Sequence, residues 1–374
     1  MSKTNNKDTI LLCLLRVAIH IEKDMEYNFI NVDWQELMDL AVMQGVGAIA
    51  FDGVNLLYKK GVDLKIPAQT KIRWFAATQQ NESEYLKSKK TLASLAKFFA
   101  KHSLDTMLLK GYGLSLNYPI PNHRPSGDID IYLRHHSSEE ELQAWEKGDS
   151  LIREKGIEVD PTGEHHSHFS INGILIENHK NIIGEDSHKS NGQVHLRLMQ
   201  MLDDNEKINV DGVTVEIPSP DFNMIYLLRH AGQHFATERI VLRHVLDWGF
   251  VVAKYSDMIH WDEALQFIEE QKMTPLMTCF RDICVDYLGF DEKDFCHIPG
   301  GSPLTERVLA DILHPEFSEE SIPPSMTLKY FIFKTRRFRA NRWKYKMVYP
   351  ESLFQTYTHL LTSKVKSWWK SRNP

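Results

Sequence analysis

Residues 109–133 read LKGYGLSLNYPIPNHRPSGDIDIYL, and the last seven of them, Gly127-Asp128-Ile129-Asp130-Ile131-Tyr132-Leu133, decide the fold. Asp128 and Asp130 stand i, i+2 among β-branched apolar residues. In a strand, both carboxylates leave one face while Ile129, Ile131 and Leu133 leave the other. Like charges held that close repel unless something neutralises them. A hard divalent cation such as Mg²⁺ does so with oxygen ligands and keeps positions open for phosphate. Taken by itself, the Asp-x-Asp triplet also matches a solvated strand face.

The flanking residues add to it. Leu108-Leu109-Lys110-Gly111-Tyr112-Gly113 reads as an apolar strand end running into a glycine turn, and Leu114 to Tyr118 continues as a short helix. Such a turn aims backbone N–H groups and a helix N-terminus at one point, where phosphate binds. Lys110 adds a point charge there and Arg124 a fork of donors.

A third carboxylate follows from geometry. His165 to Ile171 and Ile174 to His179 are strand-like runs separated by Asn172-Gly173, a two-residue hairpin turn whose residues both tolerate positive φ. Counting outward pairs Ile171 with Ile174, Ser170 with Leu175, Phe169 with Ile176, His168 with Glu177 and His166 with His179. His166, His168, Glu177 and His179 therefore share a face. If this hairpin lies beside the Asp128/Asp130 strand, Glu177 completes a three-carboxylate site, and His168 opposite it orients it or senses phosphate.

The ordered set Lys110-Gly111, Tyr118-Pro119, Arg124, Gly127-Asp128-Ile129-Asp130-Ile131 and Ile176-Glu177-Asn178-His179 resembles the uncharacterised nucleotidyltransferase family of the DNA polymerase β-like superfamily, over roughly residues 30–255. The resemblance implies an α+β fold: a small mixed β-sheet with helices on one face, flanked by N- and C-terminal helical regions. It implies Asp128, Asp130 and Glu177 as catalytic residues and metal ligands. Lys110, Gly111, Arg124, Gly127, His168, His179 and Arg243 form the expected nucleotide-binding set. The chain departs from the superfamily pattern in having Lys110-Gly111-Tyr112 where Gly-Ser is usual, and a longer gap to Asp128.

Such a site moves a nucleoside monophosphate from an NTP to a hydroxyl acceptor. The expected cofactor is Mg²⁺, with Mn²⁺ able to replace it. In the two-metal form, one ion held by Asp128 and Asp130 neutralises the leaving group, and a second, shared with Glu177, activates the hydroxyl. Glu177 is alternatively a general base.

Composition suits a soluble enzyme, with 42% hydrophobic residues in 374. Cys13, Cys279, Cys284 and Cys296 lack zinc spacing, so free thiols in a reducing cytoplasm are expected. The apolar run Ile10 to Leu15 is too short to span a membrane and has no cleavage-like site. Net charge is −6, against a general nucleic-acid binder, but it divides unevenly: residues 329–374 hold seven Lys, five Arg and one Glu, leaving the tail at +11 and the rest at −17. With Trp343, Trp368 and Trp369, this tail could stack on nucleic acid or touch an anionic membrane. The plainer expectation is terminal helices that pack their aromatics inward and extend Lys and Arg outward.

The organisation reads as an N-terminal helical region (1–103), a catalytic core (104–218), a helical domain covering the cleft (219–328) and the basic tail (329–374). Asp33 with Glu36 three residues on caps a helix; residues 68–102 form one long helix; Ser219-Pro220 starts another. Residues 194–199 and 213–217 read as strands. His230 and His234 share a helix face but lack the Glu of a metalloprotease motif, which favours two histidines satisfied at a domain interface. Arg243 and Asp247 are most simply an i, i+4 ion pair, while the resemblance makes Arg243 a candidate for contacting substrate. His166, His168 and His179 with Glu177 could instead hold a transition metal such as zinc, which would leave Asp128 and Asp130 unexplained.

Three readings remain open here. One is an Mg²⁺-dependent transferase acting on a small molecule, sugar or protein. Another is an inactive scaffold docked through the basic tail, and the third is a polymerase-like or tRNA-directed enzyme. The complete carboxylate set favours the first over the second, and the acidic body disfavours the third.

Overall fold

A computed structural model of the chain describes residues 6–19, 29–136, 143–161, 165–184, 188–317, 323 and 327–360. Its centre is a six-stranded mixed sheet in the order β3-β4-β2-β1-β6-β5. The strands are β1 (Leu104–Leu108), β2 (Asp128–His135), β3 (His166–Ile171), β4 (Ile174–His179), β5 (Asn205–Val210) and β6 (Val213–Pro218). β2 runs antiparallel to β1 and parallel to β4, while β1 and β6 are parallel.

Local chemistry sets both hairpins. Asn172 and Gly173 (φ 54° and 71°) turn β3 into β4, and Asp211 and Gly212 (φ 49° and 84°) turn β5 into β6. Both pairs adopt the left-handed backbone that a two-residue hairpin requires. The β3–β4 register matches the count outward from the turn at every pair from Ile171↔Ile174 to His166↔His179.

Residues 194–199 depart from expectation: they lie in a helix, α7 (Lys189–Gln200), not a strand. Val194, Leu196 and Leu198 alternate as a strand would, but Val194 and Leu198 also stand i, i+4. The helical solution buries those two completely and leaves Leu196 65% exposed. The strand missing from that reading is β5, which pairs antiparallel with β6.

The long helix spans Ala68–Ala100 (α4), and Leu92, Leu95 and Phe99 on it join the core under the sheet. Ile129, Ile131 and Leu133 enter that same core, as does Ile152 of the helix Ala144–Glu154 (α6). Beneath β3 and β4, Asp149 accepts hydrogen bonds from Ser167 (2.7 Å) and Asn178 (2.8 Å), which ties the hairpin to α6.

A larger core joins helices from both ends of the chain. It includes Asn6–Ile19 (α1), Trp34–Met43 (α2) and Gly47–Lys59 (α3), together with Pro220–Thr237 (α8), Leu242–Tyr255 (α9), Thr274–Asp282 (α11) and Thr305–Leu313 (α12). Asp33 caps α2, accepting from the backbone N–H groups of Gln35 and Glu36, and Ser219 caps α8. Gly53 permits the α1–α3 crossing, because a Cβ there would lie 2.1 Å from the Leu14 carbonyl oxygen.

The basic segment forms a helix over Leu328–Val348 (α13) packed on α8. It departs from the outward-pointing pattern at Arg337 and Lys344, which are buried; Lys344 pairs with the equally buried Asp311. Trp343 packs inward, with the Arg307 guanidinium 4.1 Å from its ring centroid. Trp368 and Trp369 lie outside the described residues. Among the described residues, no helix is long and apolar enough to cross a membrane.

Candidate active site

Asp128 begins β2, and the sheet places Asp130 directly beside Glu177 through the parallel β2–β4 pairing. Lys110, Gly111, Asp128, Asp130, Glu177 and His179 all line a cleft of about 530 Å³. Its far wall comes from α8 and α9, which contribute Tyr226, His230, His234, Arg243 and His244.

Charge inside the cleft is balanced by side chains. Asp130 is 1% exposed, and its Oδ1 accepts from Lys110 Nζ at 2.9 Å and contacts His179 Nε2 at 3.1 Å. Burial by itself would raise the Asp130 pKa, but Lys110 and then the His179 hydrogen bond outweigh it and hold the carboxyl well below its ordinary range. For His179 burial works downward, and its bonds to Asp130 and Glu177 raise the imidazole above 6.5. Glu177 moves down, as the His179 hydrogen bond overcomes burial.

Asp128 behaves oppositely. Among the described residues, no side chain is hydrogen-bonded to its carboxylate. Burial, then repulsion from Asp130 and Glu177, lifts it above 3.8 despite the attraction of Lys110 and Arg243. Asp130, Glu177 and His179 offer ligand atoms all within 4.8 Å of one another, a group that Asp128 does not join. The expected three-carboxylate cluster is therefore one aspartate held by Lys110 and His179, with the second standing apart on the same strand face. An under-neutralised carboxylate on the same strand face as a buried one suits a hard divalent cation.

The loop leading into β2 is anchored twice. Arg124 lines the cleft, and its guanidinium is engaged by a carboxylate. It is 3% exposed, and its Nε and Nη2 donate to the two oxygens of Asp247 at 2.7 and 2.8 Å. Tyr118 donates to the same carboxylate at 2.6 Å. Asp247 thus pairs with Arg124 and not with Arg243, whose Nη1 donates to the Pro125 carbonyl at 3.0 Å from the cleft rim. One residue earlier, the His123 ring bridges Asp52 (2.7 Å) and Glu82 (2.9 Å).

Burial would lower His123, but those two bonds outweigh it and raise its pKa above 6.5. A raised histidine contributes stability that is complete below its unfolded pKa and lost as pH rises through the folded one. The melting temperature is therefore expected to fall as pH climbs from just below 6.5, and His123→Gln to flatten that part of the profile.

A model of the family described as "Uncharacterised nucleotidyltransferase" matches residues 31–289. The chain belongs to that family. No curated protein matches it. Among solved structures, an antigenic nucleotidyltransferase-like protein from Paracoccidioides brasiliensis is similar at 15% identity and a TM-score of 0.33, covering 54% of this chain and 92% of that one.

In this nucleotidyltransferase-family chain, the acidic residues, Lys110, Gly111, Arg124, His179 and Arg243 converge on the cleft. Gly111 adopts φ 65°, and Gly127 leaves open space where a side chain would be. His168 faces Glu177 across the hairpin, its Nε2 3.6 Å from Oε1.

The far wall belongs to the helical region expected to cover the cleft, but its histidines are not among the expected site residues. His230 and His234 line the cleft, where the helical region meets the sheet. His234 meets Glu238 at 3.3 Å, and the His230 ring packs between Tyr226, His234 and His244. Their i, i+4 spacing marked a shared face; only the packing of α8 over the sheet showed what that face meets. His165, outside the expected site residues, also lines the cleft and joins a potential ligand group with His166 and His179.

Proposed function

We propose that the protein is an Mg²⁺-dependent nucleotidyltransferase that moves a nucleoside monophosphate from an NTP to a hydroxyl of a small-molecule, sugar or protein acceptor. The observation that carries this reading is the adjacency of Asp130 and Glu177 on parallel strands, with Asp128 on the same face of β2, at the floor of one cleft beside the Lys110-Gly111 turn.

Asp128, Asp130 and Glu177 are the oxygen donors for the cation. When bound, Mg²⁺ supplies charge neutralisation on the triphosphate and acidifies the acceptor hydroxyl. Lys110 provides the fixed positive charge on the phosphate side, and Gly111 keeps the turn free of a side chain so that backbone N–H groups can approach phosphate. His179 orients Asp130 and Glu177, holding both in the ionised form that a cation needs. The α8–α9 wall excludes water from the opposite side and places Arg243 at the rim.

Calorimetric titration of each NTP into the full chain, with Mg²⁺ and then with EDTA, tests the donor half of this reading without knowledge of the acceptor. The expected result is saturable binding of at least one NTP that disappears in EDTA. If well-folded protein binds no NTP in either condition, the reading fails and the scaffold alternative takes its place.

A further inference from the structure

Glu177 presents two oxygens to two different neighbourhoods. Its Oε2 lies 3.5 Å from His179 Nε2, on the Asp130 side. Its Oε1 lies 3.6 Å from His168 Nε2 and 3.9 Å from His166 Nε2. The two histidine nitrogens point at each other across 2.8 Å. These three donors are mutually close enough to share one ion. The separations bracket the edge of about 3.3 Å expected for donors at about 2.0–2.1 Å around a tetrahedral ion.

The backbone holds this arrangement ready. His166 and His168 are i, i+2 on β3, so their rings leave the same face, and Glu177 is the direct cross-strand partner of His168. The backbone of His168 is bonded on its other side to Asp160, both bonds being 2.8 Å. The His168 side chain keeps 29% exposure, which gives an ion a route in from solvent.

We infer that His166, His168 and Glu177 form a second metal site, for a transition ion such as Zn²⁺, beside the hard-cation site of Asp128 and Asp130. Two imidazoles and one carboxylate suit Zn²⁺, Co²⁺ or Ni²⁺, whereas Mg²⁺ prefers an all-oxygen shell. His179 stays with Asp130 and is not needed as a ligand. Because Glu177 is common to both sites, an ion on the histidines withdraws a carboxylate from the proposed catalytic set. Zn²⁺ therefore opposes Mg²⁺-dependent nucleotide binding. That consequence rests on the proposed function; the metal site itself does not.

The test is a titration of Co²⁺ and then Zn²⁺ alone into the full chain, read by visible absorption and by calorimetry. The expected result is a one-to-one Co²⁺ complex with d–d bands that Zn²⁺ bleaches. Zn²⁺ affinity should fall about a hundredfold in His166→Gln/His168→Gln and stay unchanged in Asp128→Asn. The single His168→Gln variant, altering a partly exposed side chain, carries the same test with a smaller loss should the double variant fold poorly. Zn²⁺ binding of equal strength in wild type and variants, or the absence of Co²⁺ bands, would mean a hydrogen-bonded histidine pair only. Since metal binding is read without nucleotide, failure of the transferase reading leaves this result interpretable.

Discussion

Replacing Asp128 by Asn is expected to raise the melting temperature of the metal-free protein while abolishing its Mg²⁺-dependent NTP binding. The two effects share a cause. Burial and repulsion lift the Asp128 pKa, and a carboxyl raised on folding favours the folded state less as pH rises through that pKa. At neutral pH the ionised Asp128 therefore opposes folding, and an uncharged isostere removes the penalty. The same charge is what a cation needs.

Asp130→Asn should behave oppositely in stability and alike in function. It leaves Lys110 and His179, whose side chains are 18% and 2% exposed, without their shared carboxylate. Removing one member of a buried ionic cluster typically costs about 3–5 kcal/mol. Because the Asp130 pKa is depressed on folding, its contribution is present above the unfolded carboxyl range and is lost only when pH falls through the lowered value. Thermal melts of the two variants at neutral pH, beside nucleotide titrations, check both halves. Equal shifts in melting temperature would show that the aspartates occupy equivalent environments, contrary to the asymmetry described here.

The second large effect is expected at Arg124 and Asp247. Asp247→Ala leaves a guanidinium that is 3% exposed with the Pro125 carbonyl as its remaining acceptor, at a cost of about 3–5 kcal/mol. Arg124→Met/Asp247→Leu should recover most of that loss, since a buried pair replaced by apolar groups of similar volume is often neutral. Chemical denaturation of the two singles and the double closes this cycle. The double variant separates stability from positioning. Residues 125–127 hang between this pair and Asp128, so refolded stability with weakened nucleotide binding would assign the pair to positioning the site. Additive single-variant costs would instead show that Arg124 and Asp247 do not act on each other.

What local chemistry governs was legible in the sequence. Asn172-Gly173 admits one tight turn, and a two-residue turn determines the register of both strands; hence Glu177 and His168 could be paired from spacing alone. The alternation at 128–133 likewise fixes which side chains enter the core and which leave it. The overlap of two periods at 194–199 could not be resolved locally, because burial of Val194 and Leu198 depends on helices distant in the chain.

The charge pairing belonged to the tertiary structure. Arg124 and Asp247 are 123 residues apart, Lys110 lies two residues past the end of β1 and reaches Asp130 on β2, and His179 reaches Asp130 over 49 residues. A cation in a sequence is compatible with phosphate, with solvent or with any carboxylate, and burial selects among them by penalising whichever charge is left unpaired. So the residue types and faces of the candidate site follow from the chain itself. Folding decided that Lys110 holds Asp130, that Arg124 pairs with Asp247, and that the α8 histidines line the cleft.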